Sequence, residues 1–353
     1  MNTNDRTIYS KIQTFSLAFL ALLACAWVLS LTKSFMVPFM IAVLFAYLFF
    51  PLADLLEKAK VPTVLTTFIL LLIIFIVIAI IGVIIYSAFD SIKSHLPDYL
   101  ERFRILINNT ADSLGRIFNT DVMSQYRNMT FNQFFKVISP SSIVSTINKS
   151  AGNFINFLSK MTLVMVFLMF ILLGRKLFKQ KLYKFFSADR DNDTLLMIRS
   201  ITKQIRYFLL LKTIISLVTG TMFGLAAMFL GLDFPIIWGF IAFLFNFIPS
   251  LGPIAASLLA ILLAFIQFPN FWYALLVSLI LSTIQFISGN IVEPKVMGNN
   301  LNLNIIAILL SLFLWGIIWG IPGMFLAVPI TVAINIICAN IPKLKRINLI
   351  LSR

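Results

Sequence analysis

Glu293 has the strongest claim to chemistry in this sequence. It lies in Gly289-Asn290-Ile291-Val292-Glu293-Pro294-Lys295-Val296-Met297-Gly298. Across residues 213–342 the only other charged side chains are Asp233 and Lys295. Asn290 and Glu293 are three positions apart, so on a helix they share a face. Pro294 has no amide hydrogen to donate and frees backbone carbonyls nearby. A carboxylate, an amide oxygen and free carbonyls suit a proton or a hard cation. Gln285 and Ser288 stand one to two turns earlier and extend a polar path. A structural role for Glu293 and Lys295, capping a helix at the membrane surface, competes closely with this reading. The second cluster is Asn246, Ser250 and Gly252. Asn246 can both donate to and accept from a small hydroxylated ligand; it serves equally well to satisfy the backbone of a turn.

No HExxH, GxSxG or Walker A pattern occurs, so the expectation is a protein that is not an enzyme and has no cofactor and no metal site. The single histidine, His95, is expected in a solvated loop. Cys25 and Cys338 both lie in apolar segments and are expected to be buried structural thiols.

The elements that must position these residues are membrane helices. Hydrophobic residues make up 60% of the chain and charged residues 12%, against about 25% charged in soluble domains. The expected fold class is all-α: a polytopic membrane protein of about eight membrane segments with a small helical extracytoplasmic domain. Residues 17–31 form the first span, preceded by Arg6 and Lys11, and are read as an uncleaved helix and not a cleaved signal. Residues 35–50, bracketed by Pro38 and Pro51, form the second. A polar loop of Asp54, Glu57, Lys58 and Lys60 follows, and then a span over 64–85. Residues 88–150 lack a long apolar run and contain an expected helix from Phe89 to Leu114, with Pro97 near its start, and an amphipathic stretch at 131–138. A fourth span covers 161–173.

Residues 175–206 carry nine basic and three acidic side chains. Arg175, Lys176, Lys179, Lys181 and Lys184 alternate with Leu177, Leu182, Phe185 and Phe186, as expected of an interfacial helix on an anionic leaflet. Membrane lipids are therefore expected partners, and nucleic acid is not. The basic excess places this loop, and by parity both termini, in the cytoplasm. The span at 208–230 carries Lys212 near its cytoplasmic end, where its ammonium is expected to snorkel. Asp233 is expected on the outer surface. Trp238, Trp272, Trp315 and Trp319 are expected as interfacial anchors.

Two apolar units are broken by proline and glycine. One, residues 236–268, breaks around Pro249 and Pro253. The other, residues 305–341, breaks around Pro322 and Gly323. Residues 272–288 can span once between them. Paired broken segments point to a transport site. The two units either span the membrane with every arm or enter it as re-entrant hairpins; both arrangements fit the parity. Pro294 is a further expected break. The domains are then 1–87, 88–150, 151–173, 174–206, a transport core at 207–342 and a basic tail at 343–353.

The second half carries Leu211-Lys212-Thr213 with Gly220, Trp238-Gly239, Asn246-Phe247-Ile248-Pro249-Ser250-Leu251-Gly252-Pro253, the Gly289–Gly298 stretch quoted above, Leu310-Ser311-Leu312 to Trp315-Gly316, and Gly323-Met324-Phe325-Leu326-Ala327-Val328-Pro329. In order and spacing this resembles the autoinducer-2 exporter family of bacterial permeases. The resemblance covers most of the chain and is specific in the second half. It implies an inner-membrane permease exporting a furanone-type signal, or a sodium or lithium/proton antiporter, assembled as a homo-oligomer, with a pentamer as the implied form. From the residues alone, a secondary transporter exporting a small polar solute competes with a cation antiporter, a passive channel and a non-transporting scaffold.

Overall fold

The computed structural model describes residues 3–118, 140–188, 192–297 and 304–340. The stretch expected at 131–138 and the tail at 343–353 lie outside the described residues. Every element among those described is helical. Six helices are long and apolar enough to cross a membrane, and four shorter apolar helices accompany them, so the chain is an all-α, multi-pass membrane protein.

The helices are α1 (Thr3–Leu31), α2 (Lys33–Lys58), α3 (Thr63–Phe118), α4 (Pro140–Ala188), α5 (Asn192–Phe229), α6 (Pro235–Phe245), α7 (Leu251–Gln267), α8 (Phe271–Ile287), a π-helical turn (Ser288–Val292), α9 (Glu293–Met297), α10 (Ile305–Trp319) and α11 (Ile321–Asn340). The apolar part of α1 is Ser16–Leu31.

Several helices are longer than their apolar cores. α2 does not stop at Pro51; it runs through it, so Asp54, Glu57 and Lys58 are helical and not in a loop. A proline costs a membrane helix one backbone bond, which neighbouring groups can offset. α3 has 56 residues, about 84 Å of helix. Its apolar span continues in phase into the repeat that follows Ala88, with Pro97 inside it. His95 therefore sits on a helix and not in a loop. It is exposed, and its Nδ1 lies 2.8 Å from the Ser91 carbonyl. The residues 87, 150 and 173 all fall inside continuous helices.

The chain divides into two compact units. The first contains residues 1–68, 161–210 and 299–353. Here α10 and α11 form an antiparallel hairpin that reverses at Gly320, whose φ of 69° suits glycine. Thr331 donates to Ser311 across it at 2.5 Å. Ile318, Trp319 and Leu326 pack against Leu29, Met36 and Met40. Trp319 is 7% exposed and donates Nε1–H to the Leu29 carbonyl; it is a packing residue and not an interfacial anchor. Cys338 is buried, but Cys25 is exposed. An apolar neighbourhood in a membrane helix can mean contact with lipid as well as burial. In the same unit Arg175 pairs with Asp54 at 3.1 Å and with Glu57 at 2.7 Å, and Lys176 reaches Glu57 at 3.0 Å. Two of the five cations expected at the interface are thus held by α2, while Lys179, Lys181 and Lys184 are exposed.

The second unit contains residues 69–160 and 211–298. α6 and α7 form a hairpin, and α7 and α8 form another. Asn270 starts α8 by accepting from the Trp272 and Tyr273 amides. Small residues bring these helices together, as in membrane proteins generally. Ala242, Ala256, Ala260 and Ala264 join Phe223, Ala227, Val277 and Leu281 in one core. Gly220 and Gly224, one turn apart on α5, face Gly239 of α6. A Cβ on Gly220 would lie 2.6 Å from the Gly239 carbonyl oxygen.

Candidate functional site

The second unit has a polar interior around the start of its part of α5, with a dry core beyond it. α5 presents Lys212, Ser216 and Thr219 at four- and three-residue steps, so all three share one face. They are 1%, 0% and 3% exposed. The snorkelling expected of Lys212 does not occur: its ammonium donates to Glu293 Oε1 at 2.6 Å. Glu293 is the more accessible partner, with 23% of its side chain exposed. Ser216 accepts from Asn246 Nδ2 at 3.0 Å. Thr219 donates to the Ile215 carbonyl and forms a second, short hydrogen bond with Ser288. Since Lys212 meets Glu293 and Thr219 meets Ser288, α5 and the α8–α9 segment run antiparallel.

The backbone around Glu293 follows from Pro294. A proline has no N–H for the carbonyl four residues back and crowds it sterically. Here the turn before it widens into the π-helical Ser288–Val292. Such turns concentrate at functional sites. Asn290 is exposed and donates Nδ2–H to the Phe286 carbonyl at 3.1 Å. It therefore stabilises the widened turn and does not face the buried column. Lys295 is also exposed.

The α6–α7 break places Asn246 at the end of α6 with no exposure, whereas Ser250 is exposed and takes a left-handed φ of 61°. Gly252 is buried under the Phe245 carbonyl, where a Cβ would collide with backbone. Pro249 and Pro253 flank the tip. Among the residues expected at a site, the structure buries Asn246 and Gln285 and pairs Glu293 with Lys212, and leaves Ser250, Asn290 and Lys295 on the surface. It adds Lys212, Ser216, Thr219 and Ser288. The spacing of Lys212, Ser216 and Thr219 was the signal available in the sequence: a polar stripe on one face of an apolar helix.

Beside this column lies an open groove of about 240 Å³, lined mainly by apolar side chains including Ile214, Val218, Met222 and Ile287, with Thr219 and Ser288 as its polar pair. At the far end of the unit, α3 meets two loops. Tyr99 donates to Asp233 Oδ2 at 2.5 Å, and Arg102 donates to the Gln267 carbonyl at 2.9 Å. Gln267 in turn accepts from the Asp233 amide and donates to the Gly231 carbonyl. Trp238 donates to the Asp233 carbonyl at 2.9 Å. Burial, reinforced by the Asp233 carboxylate, pushes the Tyr99 hydroxyl above the usual tyrosine range.

Residues 17–343 match the family model described as AI-2E family transporter. The chain is 28% identical over 352 residues to a putative transport protein of Borreliella burgdorferi, covering 99% of this chain and 94% of that protein. It is 28% identical over 300 residues to the AI-2 transport protein TqsA of Escherichia coli, covering 85% and 84%. The putative transport protein YueF of Bacillus subtilis is 26% identical over 314 residues, covering 87% and 84%.

Proposed function

We propose, from the premise that this chain belongs to the AI-2E transporter family, that it exports a small polar solute across the bacterial inner membrane. The observation that carries this reading is the buried Lys212, paired with the partly exposed Glu293, heading a polar column inside the second unit. An ionisable pair in a membrane interior is costly and characteristic of transport pathways. The similarity to TqsA makes autoinducer-2 the first solute to test. Export is driven by an ion gradient or by the membrane potential, which contributes about 2.3 kcal/mol per charge at 100 mV. Both termini face the cytoplasm, Lys179, Lys181 and Lys184 rest on anionic lipid, and the working form is a homo-oligomer.

A second reading, exchange of a monovalent cation for a proton, is favoured by the same pair. A cation reaching Glu293 must displace the Lys212 ammonium, which makes binding competitive with protonation and with the internal cation. Everted vesicles separate the readings. Solute accumulation that collapses with an uncoupler supports driven export. Sodium- or lithium-dependent proton movement without solute transport supports antiport. A leak indifferent to the gradient indicates a channel, and no flux at all a scaffold. Glu293→Gln is expected to abolish the coupled flux; transport retained with an unchanged pH profile removes Glu293 from the cycle.

A further inference from the structure

Three buried amide atoms in the second unit have no hydrogen-bond partner among the described residues: Asn246 Oδ1 and both Gln285 Oε1 and Nε2. Asn246 is 0% and Gln285 4% exposed. Exchanging the oxygen and nitrogen of Asn246 does not remove the problem, since one of the two atoms faces Ser216 and the other stays unpaired. Burying an unsatisfied amide costs stability. Apolar residues of similar size would pack at both positions without that cost.

These atoms have an ordered place. On antiparallel helices the sequence of levels is Lys212–Glu293, then Ser216–Asn246, then Thr219–Ser288, then Gln285, one turn further along α8. From Glu293 to Gln285 the column is about 12 Å long at 1.5 Å per residue, less than half the hydrocarbon thickness. Beyond Gln285 it stops: Leu281, Val277, Phe223 and Ala227 form a dry core. Gln285 is the deepest polar group before that barrier.

We infer that Asn246 and Gln285 are two successive hydrogen-bonding points, one on each side of the Thr219–Ser288 level, for an uncharged solute that carries both hydroxyl donors and oxygen acceptors. This inference rests on the transport reading and deepens it. The chemistry follows from the inventory. Gln285 offers two donors and one acceptor, and Asn246 one further atom. The only ionisable groups in the column, Lys212 and Glu293, neutralise each other, so a solute with net charge would meet no compensation at the level of Gln285.

The test uses the full chain in proteoliposomes with radiolabelled erythritol and ribose as neutral probes and lithium as the charged one. Gln285→Met and Asn246→Leu are compared with Thr283→Val, which alters an exposed position on the same helix. Each subsite variant is expected to raise the half-saturation concentration for the neutral probe about tenfold, the effect of losing one or two buried hydrogen bonds. Thr283→Val should leave it unchanged. Gln285→Met should at the same time raise Tm, because it removes orphaned amide atoms. A fall in Tm makes Gln285 a structural residue and overturns the subsite. Neutral flux unaffected by both variants overturns it too, as does lithium flux in a wild-type chain that moves neither polyol. Absence of all three fluxes and of autoinducer-2 flux in the wild type defeats the transport reading itself.

Discussion

Replacing Lys212 by methionine strips the partly exposed Glu293 of its partner. The expected loss is about 2–3 kcal/mol, below the usual cost of breaking a buried pair because Glu293 is partly exposed. Adding Glu293→Gln to Lys212→Met should recover most of that Tm loss without restoring coupled flux, and a thermal double-mutant cycle measures it. At the other end of the unit, Tyr99→Phe removes one hydrogen bond to a carboxylate, about 1–2 kcal/mol. The Tyr99 pKa is raised, so its contribution is fully present below the unfolded tyrosine value of about 10 and is lost only as pH rises through the folded value. The Tm difference between Tyr99→Phe and wild type should therefore be the same at about pH 6 and about pH 9. A difference that shrinks toward pH 9 contradicts a protonated Tyr99 donor. At this scale the sequence was only partly legible. Glu293 stood out by its isolation. Lys212 did not, because a lysine near a helix end snorkels or pairs depending on a carboxylate 81 positions away. Asn290 misled for a related reason: its side chain satisfies its own helix, a local option that spacing alone does not distinguish from a ligand role.

Helices in the second unit are held by contacts that tolerate no side chain. Gly220→Ala places a Cβ against the Gly239 carbonyl, whereas Gly224→Ala meets Gly239 Cα at 3.2 Å. The first is expected to cost about 1–3 kcal/mol and the second less, as overpacking generally does; detergent melting curves of the two variants give the order. Pro294→Ala restores an amide hydrogen. It should let Ser288–Val292 tighten toward α-helix, rotating Glu293 away from Lys212. Hydrogen exchange should slow across the turn while coupled flux falls, and exchange unchanged from wild type would mean that Pro294 does not maintain the π turn. The broken hairpins were legible in advance because proline and glycine act locally: the tips at Asn246–Ser250 and Gly320 fall where those residues cluster. The lengths of α2, α3 and α4 were not. Hydropathy reports where a helix leaves lipid, and here the helix carries on.

For the chain as a whole, composition alone was enough to establish a membrane protein, because no soluble core accommodates so few charges. The two-unit division was not visible. Each unit is assembled from separated stretches of sequence, and α3, α4 and α5 each pass from one unit to the other, so no linker composition marks a boundary. The topology proposed from the charge distribution can be tested directly. In a Cys25→Ser background, a cysteine at Lys179 should react with an impermeant thiol reagent from the cytoplasm only. A cysteine at Ser250 then reports which face the α6–α7 tip approaches, and the pattern at both sites decides between spanning and re-entrant arms.

α3 also has a mechanical meaning. From Ser87, where its candidate span ends, it continues to Phe118 without interruption, about 46 Å of rod at 1.5 Å per residue. A tilt of about 10° at the root carries the tip about 8 Å over that length. A helix of this length would act as a lever arm about the point where Tyr99 and Arg102 tie it to Asp233 and Gln267. Rearrangements too small to resolve where they begin become large where the rod ends, within range of a single pair of dyes.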